Sequence, residues 1–170
     1  PLNPNQILLS LKKNLDHSRL VSEQTTSNYQ QEFRKIAMDL AYVNSVDEWI
    51  ALYKKLIFWE LQLENSNEPA MMSILENQKL EANSLFFKFI KKNYKDLLNN
   101  TDLIFSHTLF KKIIIPAVKE KPTLWVVIDN LRYDQFRVIE PILNNFYKKK
   151  SEVDYFSILP TATQYARNAL

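Results

Sequence analysis

"WVVIDNLRYDQF", Trp125 to Phe136, is the stretch on which the fold turns. An apolar run, Leu124 to Ile128, ends in an acid and an amide, Asp129 and Asn130, with the arginine Arg132 close behind. Short apolar runs rich in β-branched residues are what strands buried on both faces look like, and parallel α/β sheets are built from them. A carboxylate at the end of such a strand is costly unless something pairs with it. In open α/β sheets ligands bind at the carboxyl ends of the strands. Asp129 therefore stands where a metal or a substrate group would meet it.

Downstream, a helical stretch runs to about Tyr147, bent or restarted at Pro141, and a second strand is expected from Val153 to Leu159 before "PTATQYARNAL". Strand, helix and strand with so long a connection read as a right-handed βαβ unit with parallel strands. Parallel strands end on one edge, so Asp129 and the Thr161 to Thr163 turn become neighbours. A helix beginning near Gln164 puts Thr163 at or near its N-cap, where free amides suit a phosphate. An aspartate facing a threonine hydroxyl across a divalent cation lowers the hydroxyl's pKa and makes it a nucleophile. A plain N-cap threonine and a strand-end aspartate satisfied by backbone amides also account for the same two residues.

Upstream the periodicity is helical. "PLNPNQILLSLKKNL", Pro1 to Leu15, reads as a helix with Asn3 as N-cap and Pro4 at its first position. Thr25 to Asn28 cap a second helix with the stripe Phe33, Ile36, Ala37, Leu40 and Ala41. Ser45 and Glu48 have capping-box spacing and precede Trp49, Leu52, Tyr53, Leu56, Trp59 and Leu63. Pro69 opens a third long helix carrying Leu75, Ala82, Leu85, Phe86, Phe89, Ile90 and Leu97. Amphipathic helices with short polar connections favour an antiparallel bundle. The phase of Trp49, Tyr53, Trp59, Phe86, Phe87 and Phe89 assigns these aromatics to the core rather than to a stacking platform for nucleic acid. "NNTD", Asn99 to Asp102, is the expected boundary, and one more helix lies within Ser106 to Val118, disturbed at Pro116. The fold class is thus mainly α, a three-helix bundle followed by a βαβ unit.

The 170 residues are 46% apolar and 24% charged with no cysteine, which excludes disulfides and Cys-based zinc sites and argues against wholesale disorder. Glycine is absent although average usage of about 7% predicts roughly a dozen. Helices tolerate that absence best, whereas a complete α/β enzyme needs glycines at tight turns, so only part of one is expected here. The net charge of +3 is mild, and Lys91, Lys92, Lys95 and Lys148 to Lys150 read as solvated helix ends. No apolar run reaches the roughly 20 residues of a membrane span and no leader is evident, so membrane insertion is not expected and a cytoplasmic location is the default.

"VVIDNLRYDQFRVIEPIL" followed by "YFSILPTATQYARNAL" resembles the opening of a PglZ domain, a branch of the alkaline phosphatase superfamily. The chain as a whole resembles PorX-like type IX secretion response regulators, in which a receiver, a three-helix bundle and a PglZ domain follow one another. The resemblance divides the chain into the last helix of a receiver at 1–16, the bundle at 17–98 and the N-terminal part of the PglZ domain at 99–170, and it makes the chain look like an internal piece. It implies that Asp129 is the first metal-ligand aspartate and that Thr163, with Thr161 as its rival, is the nucleophile that also touches the metal. It further implies zinc, two ions in the complete protein. His17 and His107 are the only histidines and read as surface or capping residues, so further ligands are expected beyond Leu170 and the site in this chain is incomplete. Asn130, Arg132 and Arg167 lie near the same edge without an assigned role.

The expected function is a metal-dependent phosphodiesterase or phosphatase under receiver control, acting on a phosphoester, with nucleotide phosphoesters the class implied. The alternative is a non-enzymatic helical module that relays receiver phosphorylation into homodimerisation or partner binding. The partners implied by resemblance are a sensor kinase, a sigma factor and components of the secretion system.

Overall fold

Ser45 and Glu48 close the box that their spacing predicts. The Glu48 carboxylate accepts the Ser45 amide at 3.0 Å and the Asn44 amide at 2.9 Å, while the Ser45 hydroxyl accepts the Glu48 amide at 3.3 Å. These bonds to the ionised form hold the Glu48 carboxyl below its ordinary pKa. The box starts α2, Val46–Glu64. The computed structural model describes residues 29–64 and 68–170. The predicted helix at 1–16, the caps at Asn3 and Thr25 to Asn28, and His17 lie outside those residues.

Helix α1, described over residues 29–42, and α3, Pro69–Asn99, pack with α2. Tyr29 meets Trp59 at 5.3 Å between ring centroids, and Asp39 pairs with Lys55 at 2.6 Å. Residue numbers rise along α1 as they fall along α2, so the two are antiparallel. Trp49 against Phe86 at 5.2 Å and Glu60 paired with Lys79 give α2 and α3 the same relation. The Tyr29 hydroxyl donates to Gln78 Oε1 at 2.8 Å, and the Gln78 amide donates to the Phe33 carbonyl at 3.2 Å, which ties α1 to α3. Burial pushes the Tyr29 phenol up to about 12.

The core consists of Tyr29, Ile36 and Leu40, of Trp49, Leu52, Leu56, Ile57, Trp59 and Leu63, and of Leu75 and Ala82. Each large side chain among them contributes about 1.5–3 kcal/mol by leaving water. The expected stripe was too wide at its edges. Phe33, Ala37 and Ala41 are exposed on α1, as are Tyr53 on α2 and Phe87 on α3. The aromatic core assignment holds for Trp49 and Trp59, while Phe86 and Phe89 are half-buried and Tyr53 and Phe87 exposed.

The chain divides into two compact units, Pro1–Lys88 and Phe89–Leu170. In the second, α4, Ser106–Leu109, runs through a π-helical segment, Phe110–Ile114, into α5, Ile115–Glu120. The disturbance expected at Pro116 takes this form. Proline lacks the amide that would bond four residues back, and the ladder widens just before it, the Ile115 amide reaching the Phe110 carbonyl five residues away.

The βαβ unit is not formed: among the described residues there is no strand. Residues 124–128 run without regular structure and stay exposed, from 38% at Trp125 to 88% at Leu124. Trp125 alone is anchored, its ring 5.1 Å from that of Phe110. A strand is defined by hydrogen bonds to a neighbour, and these residues find none. The 153–159 segment makes a single parallel bridge, and its partner is Phe105 rather than the first run. The Phe156 amide donates to the Ile104 carbonyl at 2.8 Å and the Ser106 amide to the Phe156 carbonyl at 2.9 Å. Between the two segments α6, Tyr133–Leu143, carries Pro141 within it and ends in a turn through residue 146.

Candidate active site

Asp129 ends the apolar run, and the backbone reverses at once. Asn130 takes a φ of 57°, the left-handed region that glycine usually fills and that asparagine tolerates among the remaining residues. In a chain without glycine this gives Asn130 a conformational role. Arg132, just before α6, is turned toward its own helix start, with Nε and Nη2 on the Asp134 carboxylate at 3.0 and 2.6 Å. That hydrogen bonding holds the Asp134 carboxyl below its ordinary pKa. The Gln135 side chain accepts the Arg132 amide at 3.1 Å. Arg132 is thus occupied structurally.

The second half of the site is the turn after Leu159. The Leu159–Pro160 peptide is cis, Thr161 and Ala162 are exposed, and α7 begins at Thr163, Thr163–Ala166, with Ala162 as its N-cap residue. Thr163 therefore occupies the first helical position, one residue inside the cap expected from the sequence. The Arg167 amide donates to the Thr163 carbonyl at 3.0 Å, and the Arg167 guanidinium lies 3.8 Å from Asp129 Oδ2. One residue thus ties the end of the first apolar run to the Thr163 turn. The sheet edge expected to bring Asp129 and Thr163 together is not formed among the described residues. Both side chains of the Arg167–Asp129 pair are about half exposed, 58% and 48%, and such a pair contributes only about 0–1 kcal/mol, so Asp129 is open to exchange for a stronger partner.

Among the described residues no group of three or more His, Cys, Asp or Glu side chains gathers to hold a metal ion, and Asp129 faces a cation. These residues do not make a metal centre by themselves. His107 lies on α4 beside Phe105, with ring centroids 6.0 Å apart.

Arg167 was visible to sequence reasoning as an arginine four residues after Thr163, but its partner was not, because Asp129 is reached only through the fold. A charged cluster on α6 also escaped notice. Glu140, largely buried, accepts Arg137 at 2.6 Å and also Lys149, which reaches Glu152 at 2.8 Å. The two carboxylates raise the Lys149 pKa above its ordinary value, and the cluster pins residues 149–152 to the helix.

Residues 19–98 match the family model described as the PorX response regulator linker domain, and residues 109–170 match that described as the BREX system PglZ alkaline phosphatase-like domain. The chain joins a PorX-type linker to a PglZ domain. Both parts agree with the resemblance carried by the motifs around 125–136 and 157–169. No curated protein matches the sequence. Asp129, Thr163 and Arg167 all fall in the PglZ part. An alkaline phosphatase-like domain points to metal dependence in general, and a response-regulator linker points to kinase or regulatory partners in general. No helix among the described residues is long and apolar enough to cross a membrane.

Proposed function

We propose that this chain belongs to a two-component response regulator of type IX secretion whose PglZ domain hydrolyses phosphoesters, with Thr163 as nucleophile and Asp129 as a metal ligand. The observation that carries the reading is the PglZ match over residues 109–170 together with the link that Arg167 makes between Asp129 and the Thr163 turn. Thr163 Oγ forms a bond to phosphorus as the bond to the leaving oxygen breaks; its proton passes to solvent, and the leaving oxygen takes one up. Water then cleaves the phosphothreonine and frees the nucleophile. Arg167 is placed to meet the phosphoryl oxygens once Asp129 has another partner. Zinc is the metal we assign, two ions in the complete site, supplying Lewis acidity. Ligands besides Asp129 and Thr163 come from outside the described residues. Nucleotide phosphoesters are the proposed substrate class.

In this reading residues 1–16 close a receiver, 17–98 form the linker bundle and 99–170 begin the PglZ domain, in a cytoplasmic protein with a sensor kinase, a sigma factor and secretion-system components as partners. The bundle serves as a phosphorylation-dependent dimerisation module, a second role supported by the exposed side chains of Met38, Tyr42, Phe58, Leu80 and Phe87. In the full-length protein with zinc, hydrolysis of a chromogenic phosphodiester is expected. Thr163→Val is expected to abolish turnover. Asp129→Asn is expected to weaken zinc binding by roughly 10–100-fold. Unchanged turnover in Thr163→Val contradicts the assignment.

A further inference from the structure

The approach to the Thr163 turn is held from one side by three consecutive anchors. The Phe156 amide bonds to the Ile104 carbonyl at 2.8 Å, the Ile158 amide to Ser106 Oγ at 3.2 Å, and the Leu159 amide to the hydroxyl of Tyr94 at 2.7 Å. The first two belong to the entrance of α4. The third comes from α3, 65 residues away in sequence. The Tyr94 ring is itself packed edge-on to Phe105 at 6.4 Å, and Phe105 lies tilted against Phe156 at 5.7 Å. Phe105 is 2% exposed and its neighbour Ser106 1%. Past Leu159 the backbone hydrogen bonds of the 162–170 stretch are local, such as Tyr165 to Ala162 and Arg167 to Thr163, and Arg167 adds its exposed pair with Asp129.

We propose that Tyr94 is a positioning residue for the nucleophile turn: its hydroxyl fixes Leu159, and Leu159 sets where the turn delivers Thr163. The inference rests on the reading of Thr163 as nucleophile. Tyr94 also sits on the helix whose earlier turns supply Leu75, Gln78 and Ala82 to the bundle core.

The test is Tyr94→Phe in the full-length protein, which keeps the ring and removes only the hydroxyl. Turnover of a chromogenic phosphodiester is expected to fall by roughly tenfold to a hundredfold in kcat at unchanged KM, the size of effect that a small misplacement of a reacting group produces. The melting temperature is expected to stay unchanged. Amide hydrogen exchange is expected to quicken at Leu159 while Phe156 and Ile158 keep their protection. Unchanged kcat, or unchanged Leu159 protection, overturns the proposal; so does loss of all three protections together with a lowered melting temperature, which would make Tyr94 a packing residue only. Retained turnover in Thr163→Val sinks the nucleophile reading instead, and the exchange readout at Leu159 keeps the two failures apart.

Discussion

Glu140 is the one largely buried acid in its unit, and two cations, Arg137 and Lys149, share it. Removing the charge of a buried, hydrogen-bonded partner leaves the others uncompensated. Glu140→Gln is therefore expected to lower the stability of the second unit by about 2 kcal/mol, measured as a fall in denaturant midpoint at constant slope. Lys35→Met, which removes an exposed pair with Glu32, is expected to change stability by less than about 0.5 kcal/mol. At this scale the sequence was partly legible. That Asp129, an acid ending an apolar run, needs a partner was readable, and so was a helix start close after the proline-terminated segment, which falls at Thr163. Arg167 and Tyr94 were not, since their worth lies in contacts across long stretches of chain. Asn130 carried a usable signal: in a sequence with no glycine, an asparagine between an apolar run and a helix is a natural carrier of positive φ.

Element by element, local chemistry was the most readable. The box of Ser45 and Glu48 is fixed by spacing alone, and Ser45→Ala is expected to cost about 1 kcal/mol of bundle stability. The Glu48 carboxyl is depressed in the folded state, first by the Asn44 amide and then by the Ser45 amide and hydroxyl. Its contribution is present above the ordinary value of 4.5 and is lost as pH falls through the lower folded-state value. The pH dependence of unfolding below 4.5 is accordingly expected to flatten in Glu48→Gln, and an unaltered acid limb would contradict this role. The strands were misread for a related reason. Composition marks 124–128 and 153–159 as strand-like segments, yet neither forms a strand. A ladder, however, is a property of two neighbours, and the neighbour that Phe156 found was Phe105, in a stretch whose helical start hid it. The π segment before Pro116 shows the opposite case, where a single proline announced a disturbance and only its geometry was left to discover.

For the molecule as a whole, the linker match covers 19–98 and the PglZ match 109–170. The central claim concerns what the second part does, and a covalent intermediate tests it most directly. Full-length protein turning over a phosphodiester in the presence of zinc, quenched in acid and digested with trypsin, yields the peptide of residues 151–167, which holds both Thr161 and Thr163. The account predicts a phosphoryl adduct on Thr163 that is absent from Thr163→Val. An adduct on Thr161, or steady turnover with no adduct on this peptide at any quench time, would contradict it.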